Sequence, residues 1–545
     1  MHYIGEHLLP GQFGKAFIWI AFFSALITMI LYLMDKRRKP ETRSLIPLAR
    51  GLFGLHTLSL VIVAVILYYL IFRHYFEYTY VWQYSSTTLP LKYIISCFWA
   101  GQEGSFLVWA LFQGIIGMIL VFQARSWEKK VMPVIAFSQI FMTSMMLGIE
   151  ILSIKIGGSP FTLLRETYTN IKDSIFEHPE YLQMIGDGNG LNPLLENIWM
   201  TIHPPILFLG YALALVPFSY AIAGMAGKSY TNWIRPALPW TLLALVFLGA
   251  GILLGGAWAY VSLTFGGFWA WDPVENSSLV PWVTLVAGLH FMIISRRQRN
   301  SLMSAITFVM LSYLLVLYAS FLTRSGVLAE SSAHSFGDNG MTLQLLVFLL
   351  SFLALSVYFI ITSTKNLRGR QQEILISKEF WMFLGSMVMI MAAFQIIFTT
   401  SIPVINQLFG STIAPPSNPA AFYNKWQLPF VVLIAIFIGV TQFLHYFNNN
   451  TGELIKKLVV PVVLSLIILI PFIVFNIVSG LNFLILVYFV FFAIISSLYN
   501  LFFKSTKPRN LAAIITHLGF LTFVLGTVMT FSNSRTISMN VSRFD

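Results

Sequence analysis

Cysteine is almost missing from this chain: among 545 residues there is a single one, Cys97. That excludes a disulfide framework, a zinc spacing and a CxxC redox pair, so any thiol chemistry must come from another molecule. Charge is scarce as well. Asp, Glu, Lys and Arg make up 10% of the chain, against roughly 25% in soluble domains. No heptads, low-complexity tract or strong internal repeat is present, and no phosphate-loop, flavin or nucleotide motif.

What is abundant is apolar sequence. Hydrophobic residues account for 57% and the mean hydropathy is +0.77. A membrane-spanning helix needs about 20 apolar residues. Candidate spans fall near 13–34, 51–72, 105–122, 132–152, 203–224, 238–256, 280–295, 302–322, 343–363, 379–400, 428–447, 458–477, 481–502 and 511–531. The fold class is therefore all-α and polytopic, with about fourteen transmembrane helices. The first run ends in Lys36-Arg37-Arg38-Lys39 and is too long for the core of a signal peptide, so it reads as a retained helix.

The formal charge of +12 raises the question of nucleic acid, but the basic residues form no groove or arm. With the amino terminus outside, 23 of the 33 Lys and Arg fall in alternate short gaps, the positive-inside pattern. Nucleic acid is excluded as a partner, and both termini are expected outside. The chain reads as one integral-membrane domain, 1–545, with external segments at 73–104, 153–202, 257–279, 323–342 and a Pro-rich cap at 401–427.

The segment 257–279 is unlike a membrane-interface belt. It gathers Trp258, Tyr260, Phe265, Phe268, Trp269 and Trp271, with Trp282 just beyond, and carries Asp272, Glu275 and Asn276. A belt explains one or two tryptophans; it has no need of Gly266-Gly267, which let backbone lie close to a flat ligand. An aromatic shelf with a polar edge suits a flat, largely apolar molecule.

Histidines add iron to that reading. His2, His7, His74 and His178 are isolated in tails and loops. His203, in "MTIHPPILFLGY", and His334, in "TRSGVLAESSAHSFG", share the face of the tryptophan segment. Two imidazoles and an aromatic shelf supply what a haem needs, and Arg324 at the same surface suits a propionate. At the opposite level, His290 lies six residues before Arg296 and His517 eight after Arg509. Both sit roughly 9–12 Å inside the cytoplasmic edge at 1.5 Å per residue. Depth alone leaves His56 and His445 as equal candidates.

In chain order, "AGQEGSFLVW", "HPPILFLGY", "GGFWAWDPVEN" and "FLTRSGVLAESSAH" resemble the CcmF family, the haem lyase components of bacterial system I cytochrome c maturation. That family carries the tryptophan-rich WWD signature of haem-handling proteins. The resemblance spans about residues 1–531. It implies that His203 and His334 ligate the haem being transferred, and that His290 and His517 hold a resident haem b, which resolves the four-way tie. It implies haem contacts from Trp258, Trp269, Trp271, Asp272, Glu275, Asn276 and Arg324, with a positioning role for Trp269, Trp271 and Asp272 and no assigned catalytic group.

The implied partners are a CcmE-like haem carrier, an apocytochrome c presenting CxxCH, CcmH-like thiol-handling chaperones and quinol as electron donor. The implied location is the bacterial inner membrane, active face periplasmic. Two departures stand out. Phe265 and Phe268 replace family tryptophans, and the chain stops at Asp545 where family members often continue into an outer domain. The rival readings are a haem exporter and a quinol-dependent redox scaffold without lyase activity.

Overall fold

The computed structural model describes residues 3, 5–35, 43–152, 154–168, 175–178, 180–263, 267–329, 332, 340–367, 374–446, 449–503 and 508–533. With no water in a bilayer core, each apolar run must satisfy its backbone internally, and the runs fold as helices. The chain is a polytopic, nearly all-helical membrane protein, with thirteen helices among the described residues long and apolar enough to cross a membrane.

In order these elements are α1 (Leu8–Asp35), α2 (Ile46–Phe72), α3 (Thr79–Tyr84), α4 (Leu91–Ala100), α5 (Gln102–Gln123) and α6 (Glu128–Ser144). A hairpin of β1 (Ile149–Ile151) and β2 (Ile154–Ile156) follows, then α7 (Leu164–Thr167), α8 (Tyr181–Ile185), α9 (Ile198–Ala226), α10 (Ile234–Ser262), α11 (Pro273–Ser295) and α12 (Leu302–Arg324). The rest are α13 (Thr342–Leu367), α14 (Lys378–Thr400), α15 (Ile402–Phe409), α16 (Pro419–Thr441), α17 (Thr451–Val474), α18 (Leu481–Phe503) and α19 (Pro508–Asn533).

One expected span differs. The apolar run 132–152 becomes α6, only 17 residues long, about 25 Å at 1.5 Å per residue. Gly148 then takes φ +61 and the remaining run alternates, Ile149-Glu150-Ile151 against Ile154-Lys155-Ile156, in antiparallel register. Alternation has the period of a strand rather than a helix. The expected fourteen spans are thirteen long helices plus this shorter one.

The residues read as one membrane domain divide by their internal contacts into two compact units. The first comprises 1–369 with 397–415, the second 370–396 with 416–545. In the first unit α9 is the central helix, 83% buried over its most apolar window. It packs against α5, α6, α10, α12 and α13. One end of α1, α2 and α6 is pinned by polar pairs: Arg50 donates to both Glu128 carboxylate oxygens (2.8 and 2.6 Å), Tyr32 donates to Glu128 at 2.7 Å, and Lys129 pairs with Asp35 at 2.8 Å.

At the other end, the described residues of segments 73–90 and 154–197 form a cap over the start of α1. Lys15 pairs with Glu166 at 3.2 Å, His7 with Glu77 at 2.8 Å, and Arg165 with Glu6. Asp187 closes the cap by accepting from the Ser86 hydroxyl (2.7 Å), the Thr87 hydroxyl (3.0 Å) and the Thr87 and Gly188 N–H groups (2.9 and 2.8 Å). Burial alone would raise this carboxyl; those hydrogen bonds outweigh it and bring it down to about 2.

A depressed folded pKa means stability that is fully present above the ordinary aspartate value of about 3.9 and lost as pH falls toward the folded one. Corrected amide exchange at 187–190 should therefore speed up between about pH 4 and pH 2. Asp187→Asn should exchange faster at neutral pH and respond less to acid.

The second unit builds its core from Ala435, Leu486, Val487, Val490, Ala493, Leu521, Val524 and Val528 on α16, α18 and α19. His517 is half-buried on α19.

Candidate functional site

The site starts from α9. Asn197 caps it, its side chain accepting from Trp199 N–H at 2.9 Å, and His203 follows in the second turn. Pro204 and Pro205 lack N–H groups, which leaves carbonyls of the first turn without helical donors. The Trp99 indole donates to one of them, Met200 O, at 3.4 Å.

His203 is seated against α10. A Cβ at Gly251 would lie 2.9 Å from Leu207 Cα, and one at Gly255 would lie 2.8 Å from His203 Cε1, so only glycine lets the helices approach this closely. His203 Nδ1 is 2.7 Å from the Gly251 carbonyl oxygen. A carbonyl only accepts, so Nδ1 carries the proton and Nε2 presents a lone pair, the tautomer of an iron-ligating imidazole. The next glycine, Gly256, faces the Phe268 ring, 2.5 Å from where a Cβ would sit. Adjacent glycines of α10 thus seat His203 and the first described aromatic of the tryptophan loop.

That loop is held by the start of α11. Asp272 Oδ1 accepts from Val274 N–H at 2.8 Å, and Glu275 Oε2 accepts from Asp272 N–H and Ala270 N–H, both at 3.0 Å. Together these form a capping box, with Pro273 at the first helical position. Trp271, between the bonded amides, has φ +59, a left-handed conformation that costs a bulky residue about 1–3 kcal/mol and persists only where its surroundings enforce it.

Asn276 is the enforcing group on the other side. Its Nδ2 donates to Trp271 O at 3.0 Å and to Thr400 Oγ1 at 3.2 Å. The Trp269 and Trp271 rings meet edge to face, centroids 6.0 Å apart at 88°, and both are half-buried. The polar groups Asp272, Glu275 and Asn276 are therefore spent on shaping the loop that presents two indoles. Asn276→Ala should leave the Trp271 carbonyl without this donor and let the loop relax, lowering the near-ultraviolet circular dichroism of the tryptophans while the far-ultraviolet helix signal is retained.

The remaining expected site residues fall as follows. Trp258 is 7% exposed and its indole donates to Leu194 O at 3.0 Å; it packs with Leu195, Trp199 and Met200, anchoring the segment before α9. Arg324 lies inside the bundle, 6% exposed, donating to Ser105 Oγ at 2.7 Å with its guanidinium over Phe106 (4.7 Å) and Phe208 (5.6 Å). A propionate would meet it there and not at the surface where the sequence placed it.

His334, Phe265 and Gly266 lie outside the described residues. Ser332, two residues before His334, donates to Asp272 Oδ1 at 2.7 Å. His290 Nδ1 is 2.8 Å from Val286 O on its own helix, which again leaves the lone pair on Nε2. His445 is exposed in the loop after α16, which ends at Thr441, and so lies beyond the helix in which the sequence placed it. His56 is fully buried. Ser332, Thr400 and the Gly251 carbonyl escaped the sequence reading; the Gly251/Gly255 spacing, one helical turn on one face, could have pointed to the last, and no sequence signal marks the other two.

With this geometry in place, residues 99–328 match the family described as cytochrome c assembly protein. Through those residues the chain is similar to the cytochrome c assembly proteins. The matched stretch contains His203, the tryptophan loop, His290 and Arg324, and leaves His517 outside.

Curated proteins similar to this chain include the cytochrome c-type biogenesis protein CcmF of Haemophilus influenzae, 29% identical over 424 residues, 77% of this chain and 61% of that protein. The CcmF of Pseudomonas fluorescens is 31% identical over 396 residues, 72% of this chain and 56% of that protein. The chain thus spans less than two thirds of the length of these relatives. A solved structure titled cytochrome c heme lyase CcmF superposes with a TM-score of 0.71 at 20% identity, covering 97% of this chain and 78% of that one. At that identity the likeness shows a shared fold.

Proposed function

We propose that this chain is a haem lyase of cytochrome c assembly in a bacterial inner membrane, with its tryptophan loop on the periplasmic face. The observation that carries the proposal is the pairing on α10: Gly255 seats His203 and Gly256 seats Phe268 at the root of the loop, so an iron-ligating imidazole and an aromatic surface adjoin. Haem is the substrate, delivered by a CcmE-like carrier. Trp269 and Trp271 cover its ring, and His203 with His334 are the protein's ligands to its iron.

An apocytochrome, handed over by CcmH-like chaperones, presents CxxCH, and each thiol adds across one vinyl group, sulfur and hydrogen joining its two carbons. The chain need not supply a nucleophile, which fits its single cysteine, Cys97, being fully buried. Its contribution is to hold two reactants in register, which can be worth several kcal/mol. His290 and His517 are the residues that would hold a resident haem b, a one-electron carrier fed by quinol. His290 fits that task because its protonated Nδ1 is tied to Val286 O and its ring is fixed for ligation through Nε2.

The test is capture of a haem-loaded carrier. Each indole covers roughly 150–250 Å² when buried, so Trp269→Ala/Trp271→Ala should weaken capture at least tenfold. Equal capture by this variant and the wild type would remove the loop from the mechanism.

A further inference from the structure

Between α5, α9 and α10 the first unit carries a groove of about 550 Å³ that the haem chemistry leaves unused. Each helix lines it over the same interval. On α5 the lining runs from Phe112 to Gln123, on α9 from Leu209 to Tyr220, and on α10 from Phe247 back to Pro236, eleven residues in every case. Eleven helical residues cover about 16 Å, close to one leaflet of a hydrocarbon core about 30 Å thick. The groove therefore runs from one membrane edge to about the bilayer centre.

Its body is apolar. Leu213 and Tyr220 of α9 are buried and make the floor, while Ile115 and Ile119 of α5 and Leu243 of α10 are exposed along the walls. Walls of that kind, open sideways to lipid, suit a hydrocarbon chain and not water.

The mouth has different chemistry. Arg125 follows Gln123 by two residues, and Arg235 immediately precedes Pro236. The Trp127 ring lies 6.0 Å from that of Tyr220, and Lys130 Nζ stands 5.7 Å over Trp127. Three cations, from the turn after α5 and the first turns of α6 and α10, thus border one opening. The carboxylates at this end are already engaged, Glu128 by Arg50 at 2.6 Å and Asp35 by Lys129 at 2.8 Å. Arg125, Lys130 and Arg235 make no ion pair among the described residues. The positive-inside bias accounts for basic residues on one side of the membrane. It does not gather three at the mouth of a groove one leaflet long.

We propose that the groove holds one anionic phospholipid of the surrounding membrane. An acyl chain lies on α9 between α5 and α10, and the phosphate meets Arg125, Lys130 and Arg235. Basic pockets between transmembrane helices recognise such headgroups. Trp240, one turn inside Pro236, lies at the interfacial depth where tryptophan is favoured. Further along, α10 carries Gly251 and Gly255, which seat His203, so the lipid braces the helix pair behind that histidine. The lipid site stands whether or not the chain attaches haem.

Native mass spectrometry of the full chain, released from detergent with equal amounts of phosphatidylglycerol and phosphatidylcholine of the same acyl chains, provides the test. The wild type should retain the anionic lipid about tenfold more than the zwitterionic one. Arg125→Gln/Lys130→Gln/Arg235→Gln should bring that ratio near one. Arg296→Gln/Arg297→Gln/Arg299→Gln, which removes three charges from the turn between α11 and α12 instead, should leave it unchanged. Ile119→Trp/Leu243→Trp, which narrows the groove from both walls, should lower retention of both lipids. Equal retention of the two lipids by the wild type overturns the proposal, as does a ratio that falls alike in the two arginine-to-glutamine sets. Undiminished retention after the groove is narrowed overturns it as well.

Discussion

Changing His203 to alanine should lower holocytochrome c formation about a hundredfold, the order of loss expected when a reactant shifts by about 1 Å from its attacking position. The reason is local. His203 is the one imidazole seated by Gly255 with its tautomer set by Gly251, and alanine removes an iron ligand without disturbing the capping box of α11. A haem b bound at His290 should keep its spectrum. Added imidazole, entering the space of the lost ring, should restore part of the activity, which a mere folding defect would not allow. The measurement is covalent haem on an apocytochrome, followed by haem staining, alongside the absorption spectrum of the purified variant.

A second large effect is expected at the membrane level. His290→Ala removes an axial bond and should abolish the six-coordinate haem b spectrum or convert it to a high-spin one, whereas His445→Ala should leave it unchanged. His445 is exposed beyond the end of α16, and His56 is fully buried on α2 with its Nδ1 2.8 Å from Ala21 O of α1. His56→Gln should therefore retain haem even where it lowers the melting temperature. Loss of haem from His56→Gln with full retention in His290→Ala would reverse the assignment.

The helices were legible because lipid enforces them: long apolar runs bounded by Lys and Arg have few alternatives. The fourth run misled because hydropathy counts "IEILSIKI" as apolar and is blind to its period of two, while Gly148 supplied the break. His445 was drawn into a span because apolar letters continue past Thr441, where α16 stops. In the loop, "DPVE" carried a legible capping signal, an acidic cap with Pro next and Glu three residues on. The same letters looked equally like ligands, and only geometry separates a carboxylate that binds from one that shapes. The positive φ of Trp271 was not legible at all, since nothing in a tryptophan announces a conformation that its neighbours impose.

The central claim is that this chain attaches haem at its tryptophan loop, and reconstitution tests it most directly. Haem-loaded carrier, reduced apocytochrome and the thiol-handling partner would be combined with the purified chain in nanodiscs under reducing conditions, and covalent holocytochrome c measured over time. The account predicts product with the wild-type chain, little with His203→Ala or with Trp269→Ala/Trp271→Ala, and none when the chain is left out. Product forming at the same rate without the chain, or undiminished in both loop-site variants, would contradict it.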